Sequence, residues 1–183
     1  EKHDLMGEIH VNIEVNHATL SGHDFAHEIA AAHAAGIFGS VDANAGDDRL
    51  GWDVDRFPVS VEQMTLGMYE ILRGGGFTTG GLNFDAKLRR QSTDLSDLVL
   101  AHAGAMDCCA RGLKAAAAMI EERPLLDFVE NRYSGWKGAL ADQLLNKDAS
   151  LSDIRALVSA QDINPKPVSG RQELLENLVN RYV

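Results

Sequence analysis

Residues 9–16 read I-H-V-N-I-E-V-N, and this alternation of β-branched apolar and polar residues predicts a β-strand. Residues 24–36 have helical spacing, residues 37–41 form a second strand candidate, and residues 43–58 read as a long loop. Ser60 and Gln63 form a capping box before a further helix. Because strands and helices alternate, the order favours an α/β fold with parallel β/α units.

The second half of the chain continues this order and then changes character. Residues 81–85 are a short strand candidate, and residues 94–123 carry one apolar stripe of a long helix that Pro124 ends. Residues 125–183 contain only short helical patterns, separated by breaks such as Pro165-Lys166-Pro167. We therefore expect a sheet-and-helix region over residues 1–123 and a helical arm over residues 124–183 that docks on another surface.

Composition narrows the class of protein. The chain has 183 residues, 45% hydrophobic and 24% charged, which suits one globular domain or a piece of a larger one. With 17 Lys+Arg against 27 Asp+Glu the net charge is −10, so nucleic acid is a poor partner. No apolar run is long enough to span a membrane. Cys108 and Cys109 are expected to be small buried residues of a protein in a reducing compartment. The first residue is Glu1 rather than Met, so we expect that a segment precedes it.

Carboxylates gather where the predicted strands end. Parallel strands present their carboxyl ends at one edge of a sheet, so these residues are expected to lie together. The loop after the second strand adds two more carboxylates, and an imidazole follows the first strand. The expected cluster consists of Glu14, His17, Asp42, Asp53, Asp55 and Asp85.

Such a cluster needs protons or cations. Two carboxylates 4 Å apart repel by roughly 4 kcal/mol at an effective dielectric of 20. Oxygen ligands with a single imidazole favour hard or borderline ions such as Mg²⁺, Mn²⁺ or Co²⁺. The alternative is that these are ordinary solvated loop carboxylates. Because the Glu14-x-x-His17 spacing leaves a predicted strand, its geometry is expected to differ from the same spacing within a helix.

Several long motifs together resemble the xylose isomerases, in particular the longer of their two classes. The matching segments are residues 11–23 (VNIEVNHATLSGH), 39–44 (GSVDAN), 50–55 (LGWDVD), 80–87 (GGLNFDAK), 132–136 (RYSGW) and 169–173 (SGRQE). They occur in order and cover nearly the whole chain. The resemblance is to the C-terminal part of that enzyme only.

This resemblance implies a fold and an activity. The fold would be the last three β/α units of a TIM (β/α)8 barrel over residues 1–123, followed by an extended helical arm for subunit contacts over residues 124–183. The activity would be aldose–ketose isomerisation, D-xylose to D-xylulose and also glucose to fructose, by a hydride shift assisted by two divalent ions. Cytoplasmic localisation and a homotetramer also follow from the resemblance.

The same resemblance implies a role for each candidate ligand. Glu14 would bridge the two metal ions, with Asp42 and Asp85 on the structural one. The other ion, the catalytic one, would be held by Glu14 with His17, Asp53 and Asp55. The family's catalytic lysine and ring-opening histidine come from earlier strands, so this segment would hold no catalytic residue. The N-terminal part of the same enzyme is therefore an expected partner, and the isolated segment is expected to be inactive.

Two other interpretations remain open at this point. One is another metal-dependent barrel enzyme: a related sugar isomerase or epimerase, or a metallohydrolase. The other is a non-catalytic assembly module whose arm binds a partner subunit.

Overall fold

A parallel sheet organises the first part of the chain. The computed structural model describes residues 2–47, 49 and 51–183, so Glu1, Asp48 and Leu50, the last of which begins one of the sequence motifs, lie outside the described residues. The sheet has three strands in the order β1-β2-β5, and both pairings are parallel. The strands are β1 (Val11–Glu14), β2 (Phe38–Asp42) and β5 (Leu82–Asn83). The predicted α/β class with parallel pairing is therefore confirmed.

The first strand is shorter than the sequence pattern indicates. β1 ends at Glu14, and Val15 and Asn16 already belong to helix α1 (Val15–Leu20). The prediction of a strand over residues 9–16 is therefore wrong at its end. Both residues are fully buried, and the Asn16 backbone N–H donates to the Asn44 side chain rather than to a strand neighbour.

Three further helices belong to the same compact unit as the sheet. They are α2 (Phe25–Ala34), α3 (Val61–Arg73) and α4 (Leu95–Glu122). The α3 helix packs against both α2 and α4. The α3 helix starts where expected, because the Ser60 hydroxyl accepts a hydrogen bond from the Gln63 backbone N–H at 3.2 Å. Close packing of these helices depends on Gly67, where a Cβ would lie 2.2 Å from the ring of the buried Phe25.

The segment predicted as one long loop contains a β-hairpin. Strands β3 (Ala45–Asp47) and β4 (Trp52–Arg56) pair antiparallel, with Ala45 opposite Arg56 and Asp47 opposite Trp52. The Gly- and Asp-rich composition of this segment favours a loop by local rules, but the two short strands satisfy each other's backbone groups. The hairpin matters for function because it carries Asp53 and Asp55.

The chain divides into two compact units, residues 1–122 with 177–183, and residues 123–176. As predicted, the long helix stops before Pro124, which occupies the first turn of the next helix. Helices α5 (Pro124–Arg132), α6 (Ala139–Leu145) and α7 (Leu151–Ala160) lie in the second unit, and α8 (Gln172–Leu178) begins there. Single 3-10 turns cover Ser134–Lys137 and Val179–Arg181. Within the described part of the chain, no helix has the length and apolarity to cross a membrane.

Candidate metal centre

The first group of carboxylates is assembled by strand register. Glu14 and Asp42 are the last residues of β1 and β2, and they are direct partners in the parallel pairing. Asp42 is in turn paired with Asn83 of β5, and Asp85 follows two residues later. Potential ligand atoms of Glu14, Asp42 and Asp85 all lie within 4.8 Å of one another. The structure thus brings together the three carboxylates that we expected to meet because they lie at or near the ends of parallel strands.

A second group shares Glu14 with the first. Potential ligand atoms of Glu14, His17 and Asp53 also lie within 4.8 Å of one another. His17 Nδ1 is 3.0 Å from Glu14 Oε2, and His17 Nε2 is 3.1 Å from Asp53 Oδ2. Glu14 is the last residue of β1 and the cap of α1, and His17 is the third residue of that helix, so the spacing leaves a strand as predicted and enters a helix at once.

Asp55 lies beside this second group but not within it. Its Oδ2 accepts a hydrogen bond from Lys87 Nζ at 2.8 Å, and its backbone oxygen accepts from the Lys87 N–H at 2.7 Å. Asp55 also has a left-handed backbone, with φ of 42°. Hydrogen bonding with Asp53, which takes the proton that the two carboxyls share in acid, and then the hydrogen bond from Lys87 lower the pKa of Asp55, so this carboxyl is ionised near neutral pH. Its predicted place among the ligands of one metal stays a prediction.

The donor set suits a pair of hard or borderline divalent cations. Glu14 is shared between the two groups, and its side chain is 15% exposed, against 40% for Asp53 and 61% for His17. The centre is therefore anchored in the protein and open on its imidazole side. Carboxylate oxygens with one imidazole are typical ligands of Mg²⁺, Mn²⁺ or Co²⁺. Asn16 Oδ1, buried and without a hydrogen-bond partner among the described residues, is a further oxygen at this place.

Four asparagines that the sequence analysis did not single out surround these carboxylates. Each side-chain amide donates to a carboxylate of another segment. The pairs are Asn12 to Asp42 at 2.5 Å, Asn83 to Asp42 at 3.4 Å, Asn44 to Glu14 at 2.8 Å, and Asn16 to both Asp53 and Asp55. The sequence did contain a signal for these asparagines, because every strand-end carboxylate has an asparagine two residues away. Residues two apart in a strand lie on the same face of the sheet.

The chain is similar to known proteins over almost all of its length. Residues 129–183 match the family model described as the XylA2 C-terminal domain. The chain is 62% identical over 179 residues to a xylose isomerase of Histophilus somni, a match that covers 98% of the chain and 41% of that protein. It is 61% identical to a xylose isomerase of Actinobacillus pleuropneumoniae over the same shares. It is 56% identical over all 183 residues to one of Rhizobium etli, covering 42% of that protein.

The chain thus spans about two fifths of the length of the curated relatives it matches. The match to a C-terminal domain model agrees with the position that the motifs indicated. The resemblance seen in the motifs is therefore confirmed, and the chain is similar, from end to end, to the C-terminal part of the xylose isomerases.

Proposed function

We propose that this chain supplies the metal-binding part of an aldose–ketose isomerase that interconverts D-xylose and D-xylulose, and also glucose and fructose. One observation supports the proposal above the others: the carboxylate of Glu14 belongs to two separate groups of potential ligands, with Asp42 and Asp85 in one and His17 and Asp53 in the other. A carboxylate that belongs to both ligand groups could bridge two metal ions at the separation of about 3.5–4 Å that is typical of two-metal sites.

The proposed architecture is the last three β/α units of a TIM barrel. Three parallel strands in sequential spatial order, each followed by helix, are consistent with a segment of such a barrel. The ligand groups lie at the carboxyl ends of these strands, which is the face where barrel enzymes place their active sites. The remaining strands would belong to the N-terminal part of the same enzyme.

Two divalent cations, when bound, would act as Lewis acids on neighbouring sugar oxygens during a hydride shift between adjacent carbons. The residues of this chain would hold these cations and orient the side chains that bind them. Glu14 lies between the two ligand groups, with Oε1 bonded to Asn44 and Oε2 facing His17. Asp55, whose pKa is lowered, stays ionised and can accept a hydrogen bond from a water or a sugar hydroxyl as protons move.

The chemistry would be completed by residues outside this segment. A lysine and a ring-opening histidine of the N-terminal part would act on the sugar, so the isolated segment is proposed to be inactive. The assembled enzyme is proposed to be a cytoplasmic homotetramer in which the helices of residues 124–183 contact neighbouring subunits. With a net charge of −10, no nucleic acid is proposed as a partner.

The proposal is tested in the complete enzyme that contains this segment. Xylose, glucose and a panel of other aldoses would be assayed with the wild type, with Glu14→Gln and with Glu121→Gln. Glu14→Gln removes the shared charge and should lower xylose isomerisation by at least 100-fold while weakening both metal sites. Glu121 is exposed on α4, so its variant controls for loss of a carboxylate elsewhere.

Three outcomes would contradict the proposal. Full activity of Glu14→Gln would remove the two-metal assignment. Turnover of another sugar, or of a hydrolysable substrate, with none of xylose would instead favour one of the related barrel enzymes. Binding of a partner subunit without any turnover by the complete protein would favour an assembly module.

A further inference from the structure

We propose that Asn44 is a positioning residue that couples the two ligand groups, so that its side chain sets the affinity of both metal ions at once. This inference rests on the proposed function, because it concerns the same two-metal centre. Asn44 lies two residues after Asp42, the carboxylate that ends β2, and it is fully buried.

The side chain of Asn44 is bonded on every side. Its Nδ2 donates to Glu14 Oε1 at 2.8 Å and to the Asp85 backbone oxygen at 3.0 Å. Its backbone N–H donates to the Asp42 backbone oxygen at 3.1 Å. One asparagine therefore bonds the carboxylate of Glu14 and the backbone of Asp42 and Asp85, the other two members of the first ligand group. Because both amide hydrogens are used and the residue has no access to solvent, its orientation is fixed.

The carbonyl of the same side chain bonds the segment next to His17, a member of the second ligand group. Asn44 Oδ1 accepts a hydrogen bond from the Asn16 backbone N–H at 3.0 Å. The Asn16 side chain in turn donates to Asp53, and to Asp55 Oδ1 at 3.3 Å. The bond to Asn44 holds the start of α1, and with it the turn that carries His17. Asn44 and Asn16 thus form a continuous hydrogen-bonded link between the two groups.

The chemistry of the amide suits this role. A neutral amide donor fixes one oxygen of Glu14 without cancelling the negative charge that a cation needs. A lysine at the same place would compete with the metal, and an aspartate would repel Glu14. Partners that orient a ligand through hydrogen bonds typically contribute 10–100-fold to metal affinity or activity.

The test measures metal binding in the complete enzyme, without reference to turnover. Apo enzyme would be titrated with Co²⁺ and with Mn²⁺, and the two dissociation constants and the Co²⁺ absorption spectrum recorded. Asn44→Ala should weaken both sites by about 10–100-fold and shift the spectrum of both bound ions. Asn12→Ala is the matched comparison, because the Asn12 amide bonds Asp42 alone among the carboxylates and should weaken one site only.

A second variant covers failure to fold. Asn44→Asp keeps the size of the side chain and the acceptor for the Asn16 N–H, but it replaces the amide donor to Glu14 by an oxygen whose charge repels that carboxylate. If Asn44→Ala does not fold, Asn44→Asp should still alter the spectra of both ions. Unchanged constants and spectra in the variant that folds, or a change confined to one ion, would overturn the coupling. Wild-type enzyme that fails to bind two ions would instead overturn the proposed function.

Discussion

Lys87 Nζ lies 2.8 Å from Oδ2 of Asp55, although 32 residues separate them in the sequence. The Lys87 side chain is 65% exposed, and its pKa is raised by the hydrogen bond to Asp55 and then by the charge of that carboxylate. The ammonium is therefore an exposed positive charge bound to Asp55, beside the second ligand group.

Replacing this lysine should change metal affinity. In the complete enzyme, Lys87→Met removes a positive charge that opposes an incoming cation, so Mn²⁺ should bind roughly two- to fivefold more tightly at low ionic strength. The gain should shrink as salt rises, because the lysine is exposed and its field is screened. Calorimetric titration at two salt concentrations measures both effects. Lys114→Met on an exposed part of α4 is the control, and weaker binding by Lys87→Met would show that the ion pair orients Asp55.

A methyl group at Gly67 should destabilise the first unit. The Cβ of Gly67→Ala would lie 2.2 Å from a ring carbon of Phe25, which is 1% exposed and cannot move aside. Overpacking of this kind typically costs about 1–3 kcal/mol, so the melting temperature should fall by several degrees. Gly104→Ala is the control, since a Cβ there meets nothing within 4 Å and alanine favours the α4 helix. Equal melting temperatures for the two variants would contradict the packing described for α3.

The thiol of Cys109 should be unreactive in the folded protein. Burial raises its pKa to about 11 from an ordinary 9.0, so near pH 8 the thiolate fraction is lower by roughly 100-fold. Alkylation by iodoacetamide should therefore be slow until denaturant is added, as peptide mapping by mass spectrometry would show. Rapid labelling of Cys109 in native protein would contradict its burial.

The same thiol carries a pH dependence whose sign follows from the raised pKa. The neutral form is favoured in the folded state, so its contribution to stability is complete below about pH 9 and declines as pH rises towards 11. Replacement by Cys109→Ala should flatten this part of the stability profile, apart from a uniform loss through the smaller side chain. Denaturant unfolding at pH 8 and at pH 10.5 measures the difference.

The start of α7 offers a test in the second unit. Ser150 and Asp153 form a reciprocal capping box, and hydrogen bonds from Ser150 lower the pKa of Asp153. In Ser150→Ala that pKa should rise towards its ordinary value, and the first amides of α7 should exchange roughly fivefold faster, the factor expected for a typical cap. A carboxyl whose pKa is lowered in the folded state stabilises that state only at pH values above this pKa. The stabilising effect of the capping box in the wild type should therefore be lost in acid. Carboxyl NMR titration with Ser152→Ala as control would show whether the box is responsible.

The strand-end carboxylates could be predicted because their positions follow from local pattern. The period of two around Ile13 marks a strand, and parallel strands align their ends, which places Glu14 beside Asp42. The first turn of α1 could not be predicted in this way. Val15 and Asn16 continue the same alternation, and the Asn16 N–H at the start of the helix bonds to Asn44, 28 residues away.

The surroundings of the hairpin carboxylates escaped prediction for a related reason. Asp53 and Asp55 were expected beside Glu14, yet the pairing of two very short strands and the approach of Lys87 decide where each points. Such contacts depend on tertiary structure and leave no local pattern. Spacing by two residues was the available signal for the asparagines, since it repeats around Glu14, Asp42 and Asp85.

The direct passage from β1 into α1 makes chain length at this point as important as side-chain identity. Glu14 is both the last strand residue and the cap of the helix, with no loop between them to absorb a change. Each residue of a helix turns the chain by about 100°, so one inserted residue between Glu14 and His17 would swing the imidazole to another face. Redesign of this centre should therefore replace side chains without changing the number of residues between Glu14 and His17, because an insertion or deletion there would reorient a metal ligand.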